Sequence, residues 1–152
     1  MTKLDRFFMN TAKEAAILSN CVSYKVGAVI VKDGRIISTG YNGTPSGFYK
    51  NCNEIFKNYD KTTQREEHHD FSLTYEIHAE MNAILFAARN GISIENTIMY
   101  VTVKPCAQCI KNIVQSGVRK VIYLNEYDKE EVKDNKITGY GLLQIEKYTE
   151  TI

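Results

Sequence analysis

The chain has 152 residues, of which 43% are hydrophobic and 24% charged, and this suits a single globular domain spanning residues 1–152. Its net charge of +1, with no long run of lysine or arginine, argues against a large nucleic-acid-binding surface. No apolar stretch approaches the ~20 residues of a membrane span and no signal peptide is evident, so we expect a cytoplasmic protein with no membrane partner. In that compartment the four cysteines are better suited to metal binding than to disulfides.

The hydrophobic pattern predicts an alternation of helices and strands. The predicted elements, in chain order, are a helix at 5–18, strands at 25–32 and 35–41 joined by the turn Asp33-Gly34, a helix at 77–90, a strand at 97–103, a helix at 106–116, and strands at 119–124 and 144–147. The polar segment from Asn42 to Tyr75 is predicted to be a long irregular loop, and the charged segment after Asp128 to be weakly helical. This order favours an α/β fold with a central mixed sheet of about five strands between layers of helices.

Two short motifs carry the candidate chemistry. His78-Ala79-Glu80 opens one predicted helix, and Pro105-Cys106-Ala107-Gln108-Cys109 opens the next. One imidazole and two thiolates can bind Zn²⁺ and leave a fourth position for water, which is typical of catalytic zinc sites. Helix N-termini carry partial positive charge that favours the thiolate forms of the two cysteines. The pattern H-x-E followed by P-C-x-x-C is the signature of zinc-dependent nucleobase deaminases.

Glu80 is the residue that distinguishes a catalytic zinc site from a site that only binds metal. A carboxylate that is not needed as a ligand can take a proton from zinc-activated water, whose pKa falls towards ~7, and can deliver protons to N3 and the departing amine of a cytosine ring. Each part of the motif also has an ordinary explanation. Cys-x-x-Cys occurs in zinc ribbons and redox sites, His78 could be a core histidine, and Glu80 could be a helix-terminal charge. Their order and spacing favour the deaminase.

The remaining cysteines suggest a second metal cluster. The predicted hairpin brings Cys21 and Cys52 to the same end of the sheet, and His68 lies in the polar segment ahead of the catalytic helix. With a carboxylate such as Glu76 they would complete a closed four-ligand site that could order a long polar loop. The alternative is a pair of buried free cysteines and two solvated histidines, His68 and His69.

Several longer segments resemble deoxycytidylate (dCMP) deaminases. They are 24–30, 40–47, 76–84 and 105–109, while 85–91 and 99–102 are similar to the T-even phage-type enzymes in particular. The resemblance implies a cytidine-deaminase-like three-layer α-β-α fold and hydrolysis of dCMP to dUMP and ammonia, which supplies dUMP for thymidylate synthesis. It also implies a homo-hexamer in the cytoplasm, of the host if the protein is phage-encoded, activated by dCTP with Mg²⁺ and inhibited by dTTP. Two segments, 52–68 and the part after Asp128, are shorter than in the T-even enzymes.

The same resemblance implies roles for individual residues. The residues concerned are His78, Cys106 and Cys109 as ligands of a catalytic zinc, Glu80 as proton shuttle, Cys21, Cys52, His68 and Glu76 as ligands of a second, structural zinc, Asn42 at the sugar, Ser23 and Lys25 at the phosphate, Ala79 and Thr102 as further substrate contacts, and Phe86 and Arg89 as subunit contacts that relay the effector signal. Asn42-Gly43 could instead be only a turn and Lys25 a solvated strand end. Phe86 could be a core residue and Arg89 a surface charge.

Two other functions fit the same motifs. A tRNA- or DNA-editing deaminase would use the same zinc chemistry, but it predicts a basic groove with aromatic stacking residues, which the low net charge disfavours. A non-catalytic, zinc-stabilised binding protein would not need Glu80.

Overall fold

The computed structural model describes residues 1–127 and 141–150 of the chain. Its elements, in chain order, are α1 (Lys3–Ile17), β1 (Gly27–Lys32), β2 (Arg35–Tyr41), α2 (Cys52–Ile55), α3 (Arg65–Tyr75), α4 (Ala79–Arg89), β3 (Thr97–Val103), α5 (Ala107–Gln115), β4 (Val118–Asn125) and β5 (Gln144–Lys147). The predicted last strand at 144–147 is confirmed, while the weak helix predicted after Asp128 lies outside the described residues. No helix in the described part is long and apolar enough to cross a membrane.

The five strands form one mixed sheet in the order β2-β1-β3-β4-β5. β1 is antiparallel to both β2 and β3, whereas β3, β4 and β5 run parallel to one another. The predicted hairpin at Asp33-Gly34 is present, with φ of 50° at Asp33 and 72° at Gly34. Positive φ at both central residues is the requirement of the tight turns that match the twist of a β-hairpin.

Helices cover both faces of this sheet. Ala28 of β1 faces a core that includes Ala83 of α4 and the inner side of α5. Val29, the next residue of the strand, points to the opposite face and packs in the core that includes Met9 of α1. Successive residues of a strand point to opposite faces, so an apolar strand can bury both of its sides. The arrangement confirms the predicted three-layer α-β-α fold.

Two glycines allow helices to approach the sheet closely. A Cβ atom on Gly40 of β2 would collide with the carbonyl oxygen of Ala79 and lie 2.5 Å from the backbone nitrogen of Ala83. A Cβ atom on Gly27 of β1 would likewise collide with α1 at Ala12. Gly40 therefore sets the depth at which α4, the helix that carries His78 and Glu80, sits on the sheet.

The prediction of an irregular loop from Asn42 to Tyr75 was wrong, because this segment contains α2 and the eleven-residue helix α3. Helix α3 has a weak apolar pattern, since His68 is its one buried side chain. Its stability comes from a small cluster in which Phe71 packs edge-to-face on Phe56, with ring centroids 5.3 Å apart. His68 contacts the same Phe56 ring at 5.2 Å. A polar helix is anchored here by one histidine and a few aromatic rings.

Candidate active site

His78, Cys106 and Cys109 converge where α4 and α5 begin. His78 is the N-cap of α4 and Cys106 the N-cap of α5, so both precede the helices that were predicted to contain them. Their backbones are extended, with ψ of 153° and 166°. This conformation lets the two side chains project beyond the helix ends. The Nδ1 atom of His78 lies 3.6 Å from the sulfur of Cys106 and 3.3 Å from that of Cys109.

These distances fit a shared metal ion. With zinc bonds of about 2.3 Å to sulfur and about 2.1 Å to nitrogen, two tetrahedral ligands lie about 3.6 Å apart. The donor set of two sulfurs and one imidazole nitrogen is also one that zinc prefers. A hydrogen bond from the Cys109 thiol and another with His78 lower the pKa of Cys106 to about 4, against the opposing effect of burial. The site therefore stabilises the thiolate form of Cys106, whereas the same hydrogen bond raises the pKa of Cys109.

Glu80 lies next to this trio without belonging to it. It is the second residue of α4 and only 4% exposed, so it is not a solvated charge at a helix end. Burial disfavours the carboxylate and raises the pKa of Glu80 to about 7, although its own backbone N–H and His78 oppose the shift. A carboxyl group with a pKa near neutrality can both accept and donate a proton at physiological pH.

A cavity of about 240 Å³ opens beside these residues. Its lining includes His78, Glu80 and Cys106, together with Tyr24 and Tyr127, whose ring centroids lie 6.3 Å apart. The volume lies somewhat below the range of about 300–1,000 Å³ that is usual for small-molecule sites, and the cavity walls are partly aromatic. The arrangement suits one small planar group presented to the trio.

The predicted substrate contacts do not all reach this cavity. Ser23, Asn42 and Ala79 line it, whereas Lys25 and Thr102 are not among its lining residues. Thr102 is buried on β3, where its hydroxyl accepts a hydrogen bond from the backbone nitrogen of Gly27 at 3.1 Å. Lys25 is exposed.

Asn42 organises the segment that borders the cavity. Its side-chain amide donates to the carbonyl oxygen of Tyr24 at 2.8 Å, and its side-chain oxygen accepts from the backbone nitrogen of Val26 at 2.8 Å. The next residue, Gly43, exchanges two backbone hydrogen bonds with Ile77, directly before His78. The Asn-Gly pair is therefore more than a turn, because it ties the loop that carries Ser23 to the start of the catalytic helix.

The predicted subunit-contact residues lie on the outer side of α4. Phe86 is 50% exposed, so it is not a core residue of this chain, and Arg89 is also exposed. Leu85 beside them is exposed as well, which leaves an apolar strip on the helix surface.

The structure also brings together Cys21, Cys52, His68 and Glu76, all of them buried. The Nε2 atom of His68 lies 3.6 Å from the sulfur of Cys21 and 3.4 Å from that of Cys52. Glu76 places one carboxylate oxygen 3.5 Å from Cys21, while its buried Oε1 has no hydrogen-bond partner among the described residues. Four converging donor atoms and an unsatisfied buried oxygen fit a closed four-coordinate metal site. His69, by contrast, is exposed.

Sequence reasoning missed one group of cavity-lining residues. They are Tyr24, Tyr59, Lys61, Arg65, His69, Ser72, Lys104 and Tyr127. A signal for part of this group existed in the sequence, because residues 65, 68, 69 and 72 follow the i, i+3, i+4, i+7 spacing of one helix face. This helical spacing was not recognised in the sequence because the residues are polar, whereas the helix pattern is normally read from apolar residues.

Comparison with known proteins gives a consistent result. Residues 2–125 match the family model of the cytidine and deoxycytidylate deaminase zinc-binding region. The chain is 45% identical over 139 residues to the deoxycytidylate deaminase of Enterobacteria phage T4, covering 73% of this chain and 72% of that protein. It is 36% identical over 145 residues to the deoxycytidylate deaminase of Schizosaccharomyces pombe, covering 95% of this chain and 44% of that protein.

Solved structures agree with these sequence matches. The dCMP deaminase of cyanophage S-TIM5, in complex with dCMP and dUMP, aligns with a TM-score of 0.77 at 35% identity, over 97% of this chain and 99% of that one. A tRNA:A34 deaminase aligns with a TM-score of 0.58 at 22% identity, over 94% of this chain and 91% of that one, and shares the fold alone.

Proposed function

The chain belongs to the cytidine and deoxycytidylate deaminase family, and from this premise we propose that it is a zinc-dependent hydrolase that converts dCMP and water to dUMP and ammonia. One observation carries the proposal. Three zinc-type ligands converge at a small cavity, and a buried carboxyl group that is not one of them, Glu80, lines the same cavity. A purely structural zinc site would have no use for that fourth group.

His78, Cys106 and Cys109 would hold the catalytic zinc. When bound, zinc acts as a Lewis acid that makes hydroxide available near neutral pH. The protein favours the thiolate of Cys106, because hydrogen bonds with Cys109 and His78 lower the pKa of that thiol. It also fixes the imidazole orientation, since both sulfurs face Nδ1 of His78.

Glu80 would move the protons of the reaction. Deamination breaks the C4–N bond of the pyrimidine and forms a C4–O bond, so both protons must leave the attacking water, one reaching N3 and the other the departing amino group. A carboxyl group with a pKa near 7 is suited to both directions of transfer.

Several features favour a single nucleotide over a polymer. The cavity of about 240 Å³ accommodates one base and its sugar more readily than a nucleic-acid strand. At the edge of the cavity, Tyr24 and Tyr127 provide an aromatic surface against which one base can pack. The net charge of +1 provides little attraction for a long phosphate backbone.

Among the substrate contacts, Ser23, Asn42 and Ala79 are supported by their position in the cavity wall. We assign Asn42 a positioning role as well, because its amide holds the backbone of the segment that carries Ser23. Lys25 and Thr102 remain predictions from the resemblance, and Thr102 fixes the start of β1 through Gly27.

We further propose that Cys21, Cys52, His68 and Glu76 hold a second, structural zinc. Their burial, their mutual distances and the unsatisfied Oε1 of Glu76 support it. A metal there would tie the loop before β1 to α2 and α3, which have few apolar residues of their own.

The regulatory part of the proposal rests on the family. It comprises a homo-hexamer in the cytoplasm, activation by dCTP with Mg²⁺, inhibition by dTTP, and a supply of dUMP for thymidylate synthesis. The exposed Leu85, Phe86 and Arg89 on the outer side of α4 support a subunit contact, since apolar side chains grouped on a surface are typical of interfaces. Light scattering with and without each triphosphate would measure the assembly.

The test of the activity is a substrate panel. Zinc-loaded protein is incubated with dCMP, dCTP, cytidine, deoxycytidine and a dC oligonucleotide, with and without added dCTP and Mg²⁺, and ammonia release is measured. We expect dUMP formation from dCMP with the highest kcat/KM of the panel. Preference for the oligonucleotide would point to an editing deaminase, and no turnover of any cytosine compound would refute the proposed function.

A further inference from the structure

Three basic side chains stand around the candidate active-site cavity. Lys61 and Arg65 line it from the side of α3, and Lys104 lines it from the end of β3. Lys104 forms an ion pair with Glu126 at 3.4 Å, whereas neither Lys61 nor Arg65 has a salt-bridge partner in the described part of the chain. The acidic residues that line the cavity, Glu76 and Glu80, belong to the second cluster and to the catalytic centre. Two cations are therefore left uncompensated.

Helix α3 holds Arg65 in place through its buried histidine. His68 is fixed between the sulfurs of Cys21 and Cys52, at 3.6 and 3.4 Å, and packs against the ring of Phe56. Arg65 lies three residues earlier, so it is on the same face of the helix, one turn away. His69 and Ser72, four and seven residues beyond Arg65, line the cavity too. One face of α3 is thus turned towards the candidate active site.

The charges on α3 are divided between its two sides. The exposed acids Glu66, Glu67 and Asp70 are not among the cavity-lining residues. On the inner side the cationic Arg65 stands with neutral or weakly basic groups, and Lys61 joins it from the turn before the helix. The inner side therefore presents positive charge to whatever enters the cavity.

We infer that α3 selects phosphorylated substrates, with Arg65 and Lys61 binding the phosphate of a nucleotide whose pyrimidine ring lies at the catalytic centre. This rests on the proposed deaminase function and assigns the phosphate contact to residues other than Lys25. A guanidinium can bind two phosphate oxygens at once, and the lysine adds a mobile charge. A nucleoside lacks the group that these cations bind, so α3 would discriminate nucleotides from nucleosides.

The test compares substituted proteins on a charged and an uncharged substrate. The variants are Arg65→Gln, Lys61→Gln and the double variant, and the matched control is Lys57→Gln, an exposed lysine of the same segment that does not line the cavity. We expect the KM for dCMP to rise about 10-fold to 100-fold for Arg65→Gln, less for Lys61→Gln, with kcat nearly unchanged. The kcat/KM for deoxycytidine should stay within about twofold in every variant. Lys57→Gln should match the unsubstituted protein on both.

A binding measurement separates this inference from the proposed function. Calorimetric titration of the zinc-loaded protein with dUMP and with deoxyuridine needs no turnover. We expect Arg65→Gln to weaken dUMP binding about 10-fold or more and to leave deoxyuridine binding unchanged. If no cytosine compound is turned over but dUMP binding still depends on Arg65, the proposed function is wrong and the phosphate site stands.

Three results would overturn the inference. The first is dUMP affinity that is unaffected by Arg65→Gln and Lys61→Gln. The second is equal loss on dCMP and deoxycytidine, which would show that α3 only supports the fold of the site. The third is a dC oligonucleotide that binds more tightly than dUMP through the same residues, which would assign the cations to a nucleic-acid strand.

Discussion

The molecule contains two clusters built from the same kinds of side chain, and they differ in what surrounds them. His78, Cys106 and Cys109 form a trio in which His78 is exposed, and the trio lies beside the cavity with Glu80 close by. Cys21, Cys52, His68 and Glu76 form a foursome in which every member is buried. Around a zinc ion, the trio would leave one coordination position for a reactant, whereas the foursome would fill all four positions with protein.

The type of ligand alone therefore does not determine the role that such a cluster can take. In each cluster two sulfurs face one imidazole nitrogen at 3.3–3.6 Å. The carboxyl groups decide between the roles. Glu76 places a carboxylate oxygen 3.5 Å from the sulfur of Cys21, inside its cluster, whereas Glu80 is buried beside the trio without belonging to it. We propose that the first cluster performs chemistry and the second fixes α3 at the cavity.

The largest expected effect comes from removing a ligand of the trio. Cys109→Ala should lower kcat for dCMP more than about 1,000-fold, because the metal that makes hydroxide available is lost or displaced. Its melting temperature should change little beyond the effect of a small core cavity, since α4 and α5 remain packed on the sheet. Metal analysis, differential scanning calorimetry and ammonia release would measure the three quantities. A variant that melted far lower would show that the trio also maintains the fold.

The converse substitution is Cys52→Ala in the foursome. Loss of a bound metal should lower the free energy of unfolding by about 4 kcal/mol when free zinc is about 1,000 times its Kd. The kcat of the protein that remains folded should stay within about tenfold, while α3 and its cavity-lining residues become less protected from hydrogen exchange. Loss of activity as complete as in Cys109→Ala would erase the distinction between the two clusters.

A smaller loss of activity is expected from a change at Gly40, where α4, the helix that begins beside His78, packs closely on the sheet. Gly40→Ala should displace α4, because the added methyl group collides with its backbone at Ala79, and the resulting shift of His78 and Glu80 should reduce kcat about 100-fold. Gly27→Ala is the matched control, since it creates a similar backbone collision with α1, which carries no residue of the trio, instead of with α4. Both variants should be destabilised, but the folded fraction of Gly27→Ala should keep its kcat. Equal activity losses would indicate a general loss of packing.

The sequence predicted the trio, Glu80 and the sheet because each leaves a local pattern. The conformation of the Asp33-Gly34 turn and of the apolar strands depends on residues that are adjacent in the sequence. The spacing within the H-x-E and C-x-x-C motifs is set by the geometry of metal coordination. Helix α3 was not predicted because it lacks an apolar stripe. Its one buried residue is a histidine, His68, whose partners Cys21 and Cys52 lie far away in the sequence.

The start of β1 was misplaced for a related reason. The strand was predicted from Lys25 but begins at Gly27. Asn42 occupies the carbonyl oxygen of Tyr24 and the backbone nitrogen of Val26, which a strand would use for its ladder. Such a side-chain contact across 16 or 18 residues has no signature in local hydrophobicity. Tertiary hydrogen bonds of this kind, more than intrinsic propensities, set the details of the cavity wall.

The catalytic role of Glu80 is tested most directly by the Glu80→Gln variant, assayed for zinc content and for dCMP turnover in the same preparation. Glutamine keeps the size of the side chain but cannot carry the proton, so we predict an unchanged zinc content and a kcat lowered about 100-fold to 10,000-fold. Glu14→Gln, at an exposed position of α1, should behave as the unsubstituted protein does. Full zinc content with a kcat within tenfold of the unsubstituted protein would contradict the role given to Glu80 and, with it, the catalytic role of the trio.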